Sequence, residues 1–256
     1  MLDKQQKNKM IGSFLVGLIT VMVLGLIFFA DREFDLHLSQ YGVFPRTVDG
    51  LKGILFYPLI HGSLEHLFNN SVPLLVLLFC LFYFYPSVAV RTVVFIYLFS
   101  GIWIWISARQ NYHIGASGVV YGLAAFIFFS GLFRRDNRMI AISLIVAFLY
   151  GSMVWGILPI RERVSWEGHL WGGISGLALA WLYRKDGPQR RLYQWEIDEI
   201  KEKQRLKMAQ LRKEHPNVVR HPEIRIRRRI PRRKQRTAPQ IQYSYVPAGK
   251  KGEANS

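Results

Sequence analysis

The chain has 256 residues, half of them hydrophobic, yet it carries a formal net charge of +17. The two properties separate along the sequence: residues 1–183 hold 13 Lys/Arg against 9 Asp/Glu, and residues 184–256 hold 21 against 8. This division excludes one ordinary soluble domain and a collagen-like chain, and a single cysteine, Cys80, excludes a disulfide scaffold.

The uncharged run 10–30 is about 21 residues, roughly 31 Å as a helix, which matches a bilayer core. Lys4, Lys7 and Lys9 precede it as they would a signal peptide, but the run exceeds a signal core of about 7–15 residues, so a retained span is expected. Five further apolar stretches follow at 66–85, 87–108, 116–133, 139–155 and 168–183, giving six predicted spans. Cys80 falls within the second and reads as a small buried hydrophobe. Gly172 and Gly176 form a Gly-x-x-x-Gly pair that permits close helix approach.

The loop charges orient the spans. Lys4, Lys7, Lys9, Arg91, Arg134, Arg135, Arg138 and the tail fall on one side, while Arg32, Arg46, Lys52, Arg109, Arg161 and Arg163 on the other are offset by nearby Asp and Glu. Both termini are therefore expected in the cytoplasm. The first extracytoplasmic loop, about 31–65, is longer than a helix link needs and should fold against the bundle or lie in the interface. The predicted organisation is a cytoplasmic N-terminus (1–9), a membrane domain (10–183), a charged helical juxtamembrane segment (184–213) and a basic disordered tail (214–256).

Polar residues in apolar spans carry the functional signal. His61, His66 and Asn70 cluster at the start of span two; His113, Gly115, Ser117, Gly118 and Tyr121 at the start of span four; Glu167, His169 and Gly172 at the start of span six. All three spans enter from the extracytoplasmic side, so the clusters lie at similar depth. Ser117 follows a glycine at a helix entrance, where free backbone N–H groups can meet an oxyanion. His169 is a general-base candidate, and His66 and Asn70 can donate hydrogen bonds to a tetrahedral intermediate. No carboxylate lies inside spans two to six, which favours a dyad over a triad; Glu167, two residues before His169, is the nearest. The histidines lack a His-Glu-x-x-His spacing, and neither a metal nor another cofactor is expected.

These residues resemble the rhomboid family of intramembrane serine proteases over roughly 45–183. His61, His66 and Asn70 are similar to its His-x4-His-x3-Asn pattern, Gly115-Ala116-Ser117-Gly118 to its Gly-x-Ser-Gly, and His169, Gly172 and Gly176 to its last-helix pattern. The resemblance implies an all-α, six-helix bundle and a serine endopeptidase that cuts transmembrane-helix substrates near their extracytoplasmic ends, at small residues close to helix-weakening ones. It implies Ser117 as nucleophile and His169 as base. His66, Asn70 and the Ser117 N–H would form the oxyanion hole, with His61 supporting it and Tyr121 packing on the His169 ring. Pro45-Arg46 stands where some members carry Trp-Arg, and the basic tail lies outside the shared core. A catalytically inactive relative that binds membrane helices is the alternative, disfavoured by the intact Ser117 and His169. The implied setting is a bacterial plasma membrane, with the active site opening outward. The expected partners are membrane-protein substrates and, for the basic tail, anionic lipid headgroups. No nucleic-acid-binding module is recognisable, so nucleic acid is not an expected partner.

Overall fold

The computed structural model describes residues 3–160, 164–187 and 194–214. Helix α1 (Lys4–Glu33) runs about 45 Å. It exceeds the predicted span because its polar ends continue the helix beyond the apolar run. It buries only a stripe, Ser13, Gly17, Leu24 and Phe28, against α3 (Leu64–Phe84). A Cβ at Gly17 would lie 2.9 Å from the Leu75 carbonyl oxygen, so the small residue sets how closely these helices approach. Much of the rest of the α1 apolar run faces outward, with Leu26 and Phe29 well exposed, as in a helix solvated by lipid.

The segment between α1 and α3 folds against the bundle. It contains 3-10 turns at Leu38–Tyr41, Asp49–Leu51 and Tyr57–Leu59 and a single α-turn, α2 (Gly53–Phe56). Its anchors reach α4 (Ala89–Ser107) and the connection after it. Tyr57 Oη and Ser100 Oγ are 2.6 Å apart, Trp105 Nε1 donates to Thr47 O, and the Arg46 guanidinium donates to Ala108 O. Val43 and His113 exchange backbone hydrogen bonds of 3.0 and 2.9 Å.

Helix α5 (Ser117–Arg134) is the most buried helix of the bundle: 56% of its apolar window is buried, against 22% for α1. It packs most extensively against α7 (Trp166–Leu182) and also touches α3, α4 and α6 (Asn137–Tyr150). Asp136 caps α6, accepting from the backbone N–H groups of Arg138 and Met139. The predicted fifth span is α-helical only to Tyr150; from Gly151 to Ile157 it tightens into a 3-10 helix.

The result is an all-α, multi-pass membrane bundle. Among the described residues, five helices, α1, α3, α4, α5 and Asn137–Ile157, are long and apolar enough to cross a membrane. Helix α7 has 17 residues. The chain divides into two compact units, Met1–Arg190 and Arg191–Ser256. Within the second, α8 (Gln194–Glu214) is a charged helix with Ile197, Ile200, Met208 and Leu211 along one side. Most of the predicted tail, from 215 onward, lies outside the described residues.

Candidate active site

Ser117 opens α5, following a turn in which Gly115 adopts φ +105°. That conformation is open to glycine at little cost. A Cβ there would also run into the His66 imidazole and come within 3.4 Å of Asn70 Nδ2. The backbone N–H of Gly115 donates to Tyr57 O at 2.7 Å, so the first loop holds the turn that presents the serine.

His169 lies in the first turn of α7. Its Nε2 is 2.8 Å from Ser117 Oγ, and its Nδ1 is 2.9 Å from Gly156 O. A carbonyl can only accept, so Nδ1 carries the proton and the Nε2 lone pair faces the serine hydroxyl. The Tyr121 ring stacks on the imidazole with centroids 4.1 Å apart and planes 6° from parallel. Tyr121 Oη in turn donates to Met153 O at 2.7 Å. The 3-10 segment thus supplies two carbonyls, one to the histidine and one to the tyrosine beneath it.

The two helices carrying these side chains meet through glycine. A methyl at Gly172 would collide with the Gly118 carbonyl, and one at Gly176 with that of Gly122. Larger residues at these positions would push α7 away from α5.

His66 and Asn70 share a face of α3 and converge on the space above Gly115. Asn70 is buried, and its Nδ2 has no hydrogen-bond acceptor among the described residues. His61 is buried in the loop before α3; its Nε2 accepts the Ala116 N–H at 3.4 Å, and its ring lies edge-on to His66 at 5.0 Å. Burial, with His66 alongside, holds the His61 pKa down at about 4. Of the residues in the three sequence clusters, His61, His66, Asn70, Gly115, Ser117, Gly118, Tyr121, His169 and Gly172 come together where α3, α5 and α7 begin.

Glu167 and His113 take other places. Glu167 Oε1 accepts from the Arg109 backbone N–H and lies 3.3 Å from Arg109 Nε, while His169 uses Gly156. Residues two apart on a helix do not face each other, which accounts for that separation. His113 Nδ1 is 2.7 Å from Ser165 Oγ, and burial pushes the pKa of this loop histidine below its ordinary value. Gly156 and Met153 carry no sequence signal, since their contribution is a backbone carbonyl at the end of a span. Among the described residues, no three His, Cys, Asp or Glu side chains are grouped to hold a metal ion.

Comparison with known proteins gives a family match over the core of the chain. The model described as the Rhomboid domain matches residues 49–186. An uncharacterized protein of Mycobacterium tuberculosis is 36% identical over 180 residues, covering 67% of this chain and 74% of that protein. One from Mycobacterium bovis gives the same figures. One from Mycobacterium leprae is 33% identical over 191 residues, covering 70% and 75%.

Proposed function

The chain belongs to the rhomboid family, and from that membership we propose that it is an intramembrane serine endopeptidase that cleaves transmembrane-helix substrates near their extracytoplasmic ends. The observation that carries this reading is the 2.8 Å approach of Ser117 Oγ to a His169 Nε2 whose other nitrogen is committed to Gly156 O.

Ser117 Oγ attacks the scissile carbonyl as His169 Nε2 takes its proton. The Gly156 carbonyl stabilises the resulting imidazolium through Nδ1–H, and the Tyr121 ring keeps the imidazole in plane. Negative charge on the carbonyl oxygen is met by Asn70 Nδ2, His66 and the Ser117 N–H. A buried, unpaired donor such as Asn70 Nδ2 costs about 1–3 kcal/mol, and it is satisfied when the oxyanion forms, so its stabilisation favours the transition state over the ground state. His169 then returns the proton to the leaving amine. It next takes a proton from water as that water attacks the acyl-enzyme, and hands that proton to the departing Ser117 Oγ, releasing the acid and regenerating the serine. Gly118 and Gly172 keep the α5 and α7 backbones close enough for this geometry, Gly115 leaves room for the His66 imidazole, and His61 supports the Ala116 backbone beside the nucleophile.

In this reading α7 is the sixth span, both termini face the cytoplasm of a bacterial cell, and the site opens outward. A substrate helix enters between α3 and α6, the second and fifth spans, and unwinds before cleavage. Weak helix formers in the substrate lower that cost by up to about 1 kcal/mol per glycine. The basic tail lies on anionic headgroups. The test is labelling of the full chain with a serine-reactive fluorophosphonate, followed by peptide mapping. Adduct at Ser117 that disappears in Ser117→Ala is expected; adduct on a different serine would overturn the nucleophile assignment.

A further inference from the structure

The loop 108–116 before Ser117 and the first turn of α7 are joined by side chains that the chemistry above does not use. His113 is 3% exposed and Glu167 is 5% exposed. His113 Nε2 lies 2.9 Å from Arg109 O, so this nitrogen must carry the proton, and Nδ1 then accepts the hydroxyl proton of Ser165 across 2.7 Å. Ser165 occupies the N-cap position of α7, yet its hydroxyl makes no capping bond there. The group that ordinarily satisfies a free helix N–H is spent on the neighbouring loop. Alongside it, Arg109 donates its backbone N–H to Glu167 Oε1, places Nε 3.3 Å from the same oxygen, and donates from its guanidinium to Val164 O.

The register of these contacts connects them to the site. His113 is four residues before Ser117, and Ser165 is four residues before His169. The Ser165 carbonyl accepts the His169 backbone N–H at 3.3 Å. His113 is fixed by its backbone pairing with Val43 of the first loop, so the loop side of the contact is itself anchored. The glycine contacts Gly118–Gly172 and Gly122–Gly176 hold α5 and α7 together further into the helices, and the His113–Ser165 contact holds them at the entrance.

We infer that His113 and Ser165, backed by the Arg109–Glu167 pair, form a positioning clamp that sets the distance between Ser117 and His169; the inference rests on the serine endopeptidase reading. None of the four is a catalytic residue. They act by restricting where the first turn of α7 can sit, and a misplacement of about 1 Å between reacting groups can cost roughly 100-fold in rate.

The experiment uses the full chain in liposomes, with kcat expressed per site counted by exhaustive fluorophosphonate labelling. Ser165→Ala and His113→Ala are each expected to lower kcat at least about tenfold with KM within about twofold of wild type. The double variant should be no slower than the slower single variant, because one contact is lost in both. Ser165→Thr keeps the hydroxyl and should recover most of the rate. If His113→Ala does not fold, the two substitutions at the partly exposed Ser165 carry the comparison. Wild-type kcat per site in both alanine variants, even with a lowered Tm, would reduce the contact to a purely structural one and overturn the inference. So would fully additive losses in the double variant. Wild type and Ser117→Ala in the same assay separate the two levels. An inactive wild type overturns the endopeptidase reading and the clamp with it; an active, Ser117-dependent enzyme indifferent to His113 and Ser165 overturns the clamp alone.

Discussion

Gly172→Ala probes the coupling between helix packing and chemistry. The added Cβ would fall 2.8 Å from the Gly118 carbonyl carbon and 3.1 Å from its Cα, besides colliding with the carbonyl oxygen. Relaxed carbon–carbon contacts lie near 3.5–4.0 Å, so α7 and α5 must part by at least about 0.7 Å. His169 is one turn before Gly172, and Ser117 adjoins Gly118. The same displacement stretches the 2.8 Å Ser117–His169 contact to about 3.5 Å, beyond an effective hydrogen bond. A loss of about 10- to 100-fold in kcat is expected, with about 1–3 kcal/mol of stability lost to overpacking. Gly173→Ala is the control: a Cβ there meets nothing within 4 Å, so the rate should be unchanged and the helix slightly favoured. Initial cleavage rates in liposomes, normalised to folded protein, read the effect. Wild-type turnover by Gly172→Ala, or an equal fall in Gly173→Ala, would refute the link between these glycines and the reacting pair.

If Asn70 serves the proposed oxyanion hole, Asn70→Ala should lower kcat by about 100-fold with little change in KM; a rise in KM at constant kcat would assign it to substrate binding instead. Tyr121→Phe keeps the ring stacked on His169 and loses only the bond to Met153 O, whereas Tyr121→Ala loses both; the alanine variant should be distinctly the slower in a turnover assay, and equal rates would deny the ring a role. His61 titrates near 4 when folded and near 6.5 when unfolded, so the unfolded chain takes up the proton first as pH falls. The stability tied to this residue is therefore intact above about pH 6.5 and declines from there toward about 4. Thermal melts of wild type should lose more stability across that window than those of His61→Asn, and parallel curves would contradict the assignment.

The membrane body and the clustering of the candidate residues were legible because both depend on side-chain type at a fixed spacing. His66 and Asn70, Ser117 and Tyr121 each sit four apart, one helical turn, and the alternation of spans puts their helices' entrances on one side. What escaped the sequence depends on backbone or on distant pairing. The Gly156 and Met153 carbonyls come from a segment that changes from α to 3-10 at Gly151-Ser152, a pair that can weaken a helix but does not specify which carbonyls it turns inward. Glu167 stands close to His169 in sequence but turns to Arg109, 58 residues away, which local spacing cannot reveal. The first loop's length and turn residues indicate that it folds, but its anchoring by Tyr57 to Ser100 and by Val43 to His113 is a matter of tertiary contact.

The most direct measurement is cleavage of a model transmembrane substrate by the full chain in liposomes, comparing wild type, Ser117→Ala and His169→Ala, with the products identified by mass. Wild type should cut the substrate helix near its extracytoplasmic end, and both variants, folded as judged by thermal melts, should leave it intact, given that loss of the nucleophile in a serine protease costs about 10⁶ in turnover. Substantial cleavage by Ser117→Ala, or a well-folded wild type that neither cleaves nor reacts with a fluorophosphonate, would contradict the assignment of Ser117 and His169 as a catalytic pair.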